Sequence, residues 1–471
     1  MGVRGRVAGA VVVALVLASL ALTSAPSHAA TRRATASGRP NIVLILTDDQ
    51  RWDSLAELPT TNALPFRRYT RSFVVDPMCC PSRASTLTGR TPNHTGVDSL
   101  LEGAQLDERK TFATMLHAAG YRTVFAGKYL NGYPFGRGSY TPPGWDAFYG
   151  FDKAANYYDY SLVENGKRVS YGNQPTDYST DVLSGKVVDA IDGAAPDRPL
   201  LVEFAPNAPH RAGLLDPIPA PRDLGVCANT AFPLPANFNA RDLVSEPAWM
   251  GGEAPKSAAT AARLRRATCE TLRGVDDAIS AIFDALRRTG RLDNTYVVVT
   301  SDNGYHFGEH RLFEKGDLYD ESIRVPLLVR GPGVAAGNDD RLTSNIDLAS
   351  TFLDWAQVAP PARFFDGHSF AASARGATGA GPSAVLLRGC RTGGIAAGAP
   401  AACGNNPSNM GKNWGVRTAR YAYVEYAGGY RQLFDVVVDP GEVRNLAPNP
   451  AYAATLATLH QRLATLRAGP P

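Results

Sequence analysis

Two apolar stretches that end in acidic residues constrain the fold of this chain more than any other feature. In "NIVLILTDDQ" the apolar run Asn41–Thr47 leads directly into Asp48–Asp49. In "TYVVVTSDNG" the run Thr295–Thr300 is followed by Asp302–Asn303. Continuous runs rich in β-branched residues are typical of buried parallel strands. The sequence therefore predicts two interior strands, each with polar residues at its carboxyl end.

An amphipathic helix precedes the second of these strands. Its apolar residues recur at spacings of three and four, and Gly290 follows as a stop signal; they are Leu272, Val275, Ile279, Ile282 and Leu286. A helix that feeds a buried strand indicates an α/β sheet with crossover connections. Ligand sites in such sheets lie beyond the carboxyl ends of the strands, so we expect the two acidic pairs to converge.

Other segments fit an α/β sandwich with a mixed, mainly parallel sheet. Strands are predicted before the loop that carries Lys128, over Leu200–Phe204 before the loop that carries His210, and over Val325–Arg330. Residues 372–384 are mostly small and are typical of a loop. We place a boundary there between a catalytic domain (40–375) and a C-terminal subdomain (380–471). The subdomain is predicted to hold antiparallel strands around a Gly-Gly turn and a terminal helix over 450–466.

The N-terminus has the pattern of a secretory signal peptide. Arg4 and Arg6 precede an apolar run, and Ser27 and Ala29 are the small residues of a cleavage site. The sequence predicts a signal peptide over residues 1–30, cleaved near Ala29–Ala30, then a flexible leader over 31–39. A membrane anchor is the alternative, but the run is short for a span. The expected location is extracellular, or the equivalent of the periplasm.

Charge gives no reason to expect nucleic acid or a membrane as a partner. The formal net charge is +4, but five arginines and no acid precede residue 40, which leaves a net charge of −1 on the rest. Export permits disulfides among the six cysteines. Cys390 and Cys403 bracket a Gly/Ala-rich loop and are one candidate bridge; Cys227 with Cys269 is another. The pairing is not determined by sequence.

The acidic strand ends suit a hard metal ion. Four positions offer only oxygen donors: Asp48, Asp49, Asp302 and Asn303. Several carboxylates with an amide carbonyl favour calcium or magnesium, and the absence of histidine from these positions counts against zinc.

The vicinal cysteines in "DPMCCPSRASTLTGR" are predicted to stand at the start of a helix. Pro81 and Ser82 suit a first helical turn, which puts Cys79 just before the N-terminus, with Arg83 one turn in. Backbone N–H groups favour an anion there. Cys79 is then either a low-pKa thiolate nucleophile or a buried structural cysteine.

"CCPSRASTLTGR" resembles the signature of the sulfatase family, Cys-x-Pro-Ser-Arg followed by Leu-Thr-Gly. Further segments resemble that family in the same order: "NIVLILTDDQ", "FAGKY", "NAPH", "TSDNG", "EKGDLYDESIRVPLLVRGPG" and "LFDVVVDPGEVRNLA". The resemblance implies an alkaline-phosphatase-like fold and oxidation of Cys79 to formylglycine (3-oxoalanine) by a formylglycine-generating enzyme. Cys80 fills the variable position and is expected only to pack.

The resemblance also implies the roles of the site residues. The metal would be held by Asp48, Asp49, Cys79, Asp302 and Asn303. A hydroxyl of the hydrated formylglycine would attack sulfur, and Arg83 would hold that hydrate. Lys128 and Lys315 would grip the sulfate oxygens. His210 would contact the sulfate or protonate the leaving oxygen.

One segment departs from the family pattern. Many sulfatases carry a histidine shortly after the first lysine, where "GKYLNGY" has Leu130 and Asn131. His306 and His310 are candidates to replace it, and Asn131 is a further candidate for substrate binding. "CCPSRAS" and "GKYLN" together resemble the N-acetylglucosamine-6-sulfatase branch, which favours a sulfated sugar, such as a glycosaminoglycan, or an aryl sulfate.

Two other functions remain open on this reading. The first is a phosphoesterase or phosphonate monoester hydrolase of the same superfamily. Asn303 stands where several of those enzymes have histidine, which argues for sulfate. The second is a non-catalytic protein that binds sulfated glycans on the same scaffold.

Overall fold

The computed structural model describes residues 38–240, 253–379, 381–389, 413–426 and 428–469. The predicted signal peptide, nearly all of the predicted leader, and the candidate bridge between Cys390 and Cys403 lie outside these ranges. The pairing of Cys227 with Cys269 lies within them, and the two form a disulfide that ties a loop to a long helix.

The described residues form strands and helices in alternation along the first two thirds of the chain. The strands are β1 Asn41–Thr47, β2 Arg67–Phe73, β3 Arg122–Gly127, β4 Ala147–Phe151, β5 Tyr160–Glu164, β6 Lys167–Tyr171, β7 Leu200–Ala205, β8 Thr295–Ser301, β9 His306–Phe307, β10 Phe313–Glu314, β11 Leu327–Arg330, β12 Gly337–Ser344, β13 Val385–Gly389, β14 Asn413–Arg417, β15 Tyr421–Glu425 and β16 Arg431–Asp435. The α-helices are α1 Pro59–Ala63, α2 Cys79–Thr88, α3 Pro92–Thr95, α4 Phe112–Ala118, α5 Ser179–Asp192, α6 Ala258–Arg288, α7 Asp320–Ile323, α8 Asp347–Ala356, α9 Ala371–Ala374 and α10 Ala453–Ala468.

The central sheet has ten strands in the order β12-β2-β11-β8-β1-β7-β3-β4-β5-β6. Its interior strands β8, β1, β7, β3 and β4 run parallel, while β11, β5 and β6 join in antiparallel fashion. Val43 lies between Val202 on one side and Val297 on the other. The predicted mixed, mainly parallel sheet is therefore confirmed, and the two acid-terminated strands are its immediate central neighbours.

Both faces of the sheet are covered by helices, which explains the uninterrupted apolar runs of its strands. On β1, Ile42 and Leu44 face a layer that includes α2, α4 and α8, whereas Val43 and Ile45 face α5 and α6. The predicted helix around residues 272–286 is the C-terminal half of α6, which ends at Arg288, before Gly290. The central sheet is thus buried on both sides, and its functional groups can lie only at the strand ends.

A separate four-stranded antiparallel sheet, in the order β13-β14-β15-β16, follows the central sheet in sequence. Leu459 and Leu463 of α10 pack against Val416 and Tyr423 of that sheet. The hairpin β15–β16 turns at Gly428 and Gly429, both in the left-handed region, as the Gly-Gly pattern predicts. The domain boundary between residues 375 and 380 stays a prediction.

Among the described residues, no helix is both long enough and apolar enough to cross a bilayer. The strand predicted over Val325–Arg330 is shorter than expected. It begins at Leu327, after Pro326, which has no backbone N–H to donate to a neighbouring strand.

Candidate active site

The carboxyl ends of β1 and β8 bring the two acidic pairs into contact. The backbone N–H of Asp49 donates to Asp302 Oδ1 at 3.2 Å, and Asn303 Nδ2 donates to Asp49 Oδ1 at 2.6 Å. Asp48, Asp302 and Asn303 are completely buried. Parallel neighbours end at the same edge of a sheet, so residues 48–49 and 302–303 face each other although far apart in sequence.

Cys79 is the first residue of α2, one position further into the helix than the sequence predicts. Asn345 anchors this helix, because its Nδ2 donates to the backbone oxygen of Ser82 at 3.2 Å and to Thr86 Oγ1 at 3.0 Å. Cys79 Sγ lies 3.6 Å from Asp48 Oδ1. The adjacent Cys80 instead packs into the core beside α2 and α4. The two cysteines therefore have different surroundings: one faces the acidic cluster and one faces the apolar interior.

The surroundings of Cys79 do not favour a thiolate. Burial and the nearby Asp48 carboxylate raise the pKa of the Cys79 thiol to about 12, although Lys128 and Lys315 oppose them. Of the two alternatives left open by the sequence, these surroundings favour the buried cysteine over the low-pKa thiolate. A thiol at this position is a poor nucleophile at neutral pH.

Arg83 links three parts of the cluster from beneath. Its Nε donates to Asp302 Oδ2 at 2.8 Å, its Nη2 to Asp48 Oδ2 at 3.3 Å, and its Nη1 to the backbone oxygen of Lys128 at 2.7 Å. The guanidinium is among the largest fully buried side chains. Because every arm is occupied, Arg83 fixes the ends of two strands relative to α2.

Two lysines place positive charge over the acids. Lys128 Nζ donates to Asp48 Oδ2, and Lys315 Nζ donates to Asp49 Oδ1. Lys315 Nζ also lies 2.8 Å from Cys79 Sγ and 3.3 Å from Asn303 Oδ1. Burial alone would lower the pKa of Lys315, but Asp49 and the other anionic groups raise it well above its ordinary value. Both ammonium groups are therefore charged at neutral pH and can bind an anion.

His210 approaches the same cluster from the loop after β7. Its Nδ1 lies 2.7 Å from the backbone oxygen of Arg211, which can only accept, so Nδ1 carries the proton. Its Nε2 lies 3.7 Å from Asp49 Oδ2. The side chain is 30% exposed, more than any other member of the cluster. Nε2 is thus oriented toward the acids at the open side of the site.

The donor set suits a divalent cation. One ligand atom from each of Asp48, Asp49, Cys79 and His210 lies within 4.8 Å of the others. Lys315 Nζ contacts Asp49 and Asn303, which shows that the space between these two side chains stabilises a positive charge. Two details differ from the sequence-based ligand set. A nitrogen donor, His210, joins the group, and the carboxylate of Asp302 instead accepts from Arg83 and from the Asp49 N–H.

The family model described as Sulfatase matches residues 40–358. The chain belongs to the sulfatase family. An N-acetylglucosamine-6-sulfatase of the goat, Capra hircus, is 37% identical over an alignment of 371 positions that covers 73% of this chain and 65% of that relative. This chain therefore spans slightly less than two thirds of the length of that relative.

Solved structures share the fold of this sulfatase. A structure described as a complex with its substrate D-glucosamine-2-N,6-O-disulfate superposes with a TM-score of 0.75 at 24% identity, covering 91% of this chain and 98% of that chain. The phosphonate monoester hydrolase of Agrobacterium radiobacter superposes with a TM-score of 0.71 at 24% identity, covering 91% and 96%. At this identity the likeness shows a common fold and does not distinguish sulfate from phosphonate chemistry.

Two histidines that the sequence offers for substrate binding have their contacts outside the cluster of acids. His306 Nε2 is 2.9 Å from Asp317 Oδ1, and the His310 ring stacks on Tyr319 with centroids 3.9 Å apart. Both histidines are buried, and burial lowers the pKa of His310 to about 3. The Oδ1 atom of Asn131 is buried without a hydrogen-bond partner among the described residues, and its role in substrate binding stays a prediction. The structure therefore does not bring a second histidine to the place left by Leu130.

Three residues that the sequence analysis did not select stand beside the sulfatase cluster. Arg211 follows His210, Glu314 precedes Lys315, and Tyr305 comes two positions after Asn303. Arg211 Nη1 and Glu314 Oε1 form an ion pair at 2.9 Å. The Tyr305 hydroxyl is buried and has no hydrogen-bond partner within the described part of the chain. Adjacency to predicted site residues is the signal that could have identified all three.

Proposed function

We propose that this chain is a sulfuric ester hydrolase that removes sulfate from sulfated sugars, with hexosamine 6-sulfates as the first substrate class to test. The observation that carries the proposal is the contact of Lys315 Nζ with Cys79 Sγ at 2.8 Å, beside the acidic strand ends. This contact supports the proposal because Cys79 and the Lys315 ammonium then lie beside the carboxylates that we propose as metal ligands. The goat relative, named N-acetylglucosamine-6-sulfatase, supports the sugar and the position of its sulfate.

We propose Cys79 as the residue that a formylglycine-generating enzyme oxidises. Formylglycine supplies a hydrated aldehyde with an oxygen nucleophile, which the unmodified thiol does not. The proposal is supported by the different surroundings of the two cysteines, since Cys79 faces Asp48 and Lys315 while Cys80 packs in the core. Cys79 is nearly completely buried, so the modifying enzyme must reach it before the chain folds.

Calcium is the cation that we propose for the acidic cluster. Asp48, Asp49, Asp302 and Asn303 would hold it together with residue 79, which leaves His210 Nε2, 3.7 Å from Asp49 Oδ2, free to carry a proton. A divalent ion there neutralises the sulfate charge. The carboxylate and amide oxygens suit calcium better than zinc.

Four side chains around residue 79 have separate roles in the proposed reaction. Lys128 and Lys315 supply fixed positive charge to the sulfate oxygens, where charge grows in the transition state. Arg83 holds α2, and with it residue 79, against the ends of β1 and β8. His210 carries a proton on Nδ1 that its carbonyl partner holds in place. A second proton on Nε2 would therefore be the one delivered to the leaving oxygen.

Two measurements test this function. Tryptic digestion yields the peptide "SFVVDPMCCPSR" (residues 72–83), and its mass should show loss of the Cys79 thiol and gain of an aldehyde. The Cys79→Ala variant should fold normally and lose turnover of 4-nitrophenyl sulfate and of N-acetylglucosamine 6-sulfate. Full activity in this variant would refute the mechanism.

Rates on matched esters separate this function from its alternatives. A sulfatase should prefer an aryl sulfate to an aryl phosphate or phosphonate ester, and the reverse order would favour the phosphonate monoester hydrolase. An intact Cys79 thiol in protein from the native host, together with binding of sulfated glycans, would favour a non-catalytic binder.

We also propose that the protein is secreted after removal of residues 1–30, and that residues 40–375 and 380–471 are its catalytic domain and C-terminal subdomain. The N-terminal pattern of arginines, apolar run and small residues supports export. N-terminal sequencing of protein recovered from the culture medium should start near Ala30. Recovery of the protein only with membranes, still carrying Met1, would contradict secretion.

A further inference from the structure

Three side chains form a polar group beside the site that the proposed mechanism does not use. We call Arg211, Tyr305 and Glu314 the mouth triad. Each is at most two positions from a residue of the site: Arg211 adjoins His210, Glu314 adjoins Lys315, and Tyr305 follows Asn303 and Gly304. The triad therefore draws on three of the segments that build the sulfate site.

The two charged members of the mouth triad form an ion pair. Arg211 Nη1 pairs with Glu314 Oε1 at 2.9 Å, and the two side chains are 24% and 61% exposed. Arg211 also donates from Nε to the backbone oxygen of Leu215 at 3.3 Å and from Nη2 to that of Leu214. The guanidinium is thus oriented by its own loop, while the glutamate remains accessible to solvent and to a ligand.

Tyr305 contributes an unused hydrogen-bond group. Its side chain is only 5% exposed, and its hydroxyl has no partner within the described part of the chain. Buried polar atoms are normally paired, so a buried hydroxyl without a partner is a candidate for contact with a ligand. The charged groups near enough to influence it are Glu314, Arg211, Asp49 and Lys315. These groups include both members of the ion pair and two residues of the site.

The chemistry of these groups also suits recognition. The Tyr305 hydroxyl can donate or accept a hydrogen bond. Glu314 accepts hydrogen bonds and Arg211 donates them. The triad combines both kinds of group with no net charge.

We propose that the mouth triad is the subsite that binds the ring hydroxyls of the sugar carrying the scissile sulfate. This inference rests on the proposed function, since the sulfate must lie at Lys128 and Lys315 for the ring to reach the mouth. A guanidinium and a carboxylate side by side can bind neighbouring hydroxyls, which both donate and accept. Because the pair is internally neutralised, it favours neutral hydroxyls over a second sulfate or a carboxylate.

The specificity of turnover tests the subsite. Tyr305→Phe removes only the hydroxyl, and Glu314→Gln removes only the charge. Each should lower kcat/KM for N-acetylglucosamine 6-sulfate about tenfold, the expected loss for one hydrogen bond to a substrate. Each should leave 4-nitrophenyl sulfate within about twofold of wild type, because an aryl ring has no such hydroxyls.

Two control variants match these changes elsewhere in the chain. Tyr160→Phe also removes a buried tyrosine hydroxyl without a partner, and Asp192→Asn removes a carboxylate paired with Arg288 at 2.6 Å. Both controls should leave the ratio of the two kcat/KM values unchanged. An unchanged ratio in Tyr305→Phe and Glu314→Gln would overturn the proposal. Equal losses on both substrates would also overturn it, because they would indicate a structural role or a role in handling the sulfate.

Binding separates failure of the subsite from failure of the proposed function. In a Cys79→Ala background, calorimetry with N-acetylglucosamine 6-sulfate requires no turnover. Addition of Tyr305→Phe should weaken binding about tenfold, with binding of 4-nitrophenyl sulfate unchanged. If the wild-type protein hydrolyses no sulfate ester but this difference persists, the subsite stands and the proposed function fails. If the wild-type protein is active and the difference is absent, the subsite fails alone.

Discussion

Glu203 should make the protein less stable as the pH rises, and Glu203→Gln should remove that dependence. Glu203 lies in the centre of the sheet on β7, between Leu44 of β1 and Phe125 of β3. Its side chain is 2% exposed, and its Oε2 has no hydrogen-bond partner among the described residues. Burial raises the pKa of this carboxyl to about 8, although Arg83 opposes the effect. In the folded protein Glu203 is therefore mainly neutral at pH 7.

The magnitude follows from linkage between protonation and folding. Between pH 4.5 and about 8 the unfolded chain ionises this carboxyl while the folded protein keeps it protonated, so the unfolded state binds fewer protons. The free energy of unfolding consequently falls as the pH rises through this window. Each pKa unit corresponds to about 1.4 kcal/mol, so the full effect is at most about 5 kcal/mol. The neutral amide of glutamine has nothing to ionise and avoids this loss.

Urea unfolding of both proteins at pH 5 and pH 8 measures the effect. Wild type and Glu203→Gln should differ by less than about 1 kcal/mol at pH 5, whereas the variant should be more stable by several kcal/mol at pH 8. Other titrating groups contribute equally to both proteins and cancel in the difference. Asp340→Asn, at a carboxylate that is 77% exposed, is the control and should show no such trend. The same difference at both pH values would refute the reasoning.

Three further results are expected. Arg83→Met should lower the free energy of unfolding by about 3–5 kcal/mol in urea titrations, because it leaves buried carboxylates unpaired; a loss below about 1 kcal/mol would contradict this role. Paired substitution of Cys227 and Cys269 by serine should cost about 2–4 kcal/mol in the same assay, since the disulfide closes a loop between residues 42 positions apart, and unchanged stability would show that the bridge does not constrain the unfolded chain. Removal of divalent cations with EDTA should lower both Tm and turnover, and calcium should restore both. A Tm that changes neither with EDTA nor with added calcium would argue against a bound ion.

Much of the central sheet was predictable because its signals are local. The apolar runs of β1 and β8 end where the acidic residues begin, and parallel neighbours must bring those ends together. The polar strands β12 and β2, at one edge of the sheet, carry no such signal. β12 has the sequence "GNDDRLTS", and its Asp339 accepts from Arg67 of β2 at 2.8 Å. Its strand conformation depends on a partner that is distant in sequence, which local patterns do not reveal.

In the site, too, some residues were predictable from local sequence and others were not. His306 was chosen from sequence because imidazole suits general acid chemistry. The structure turns His306 inward to Asp317, while the charges of Asp49 and Lys315 reach the hydroxyl of its neighbour Tyr305. Successive side chains of an extended segment point to opposite sides. In such a segment, a prediction that is wrong by one position therefore selects a side chain that points away from the site, such as His306, in place of its neighbour.

The position of β1 in the middle of the sheet has a consequence for synthesis. β1 is made early, but its partners β7 and β8 begin only at Leu200 and Thr295. At ribosomal rates of about 5–20 residues per second, an apolar strand waits roughly 10–50 s for its second neighbour. Both of its edges are open to pairing with other chains until β7 is made, and one edge stays open until β8 is made. Production of this protein should therefore depend on chaperones or on export of the unfolded chain, and fragments that end before Thr295 should aggregate.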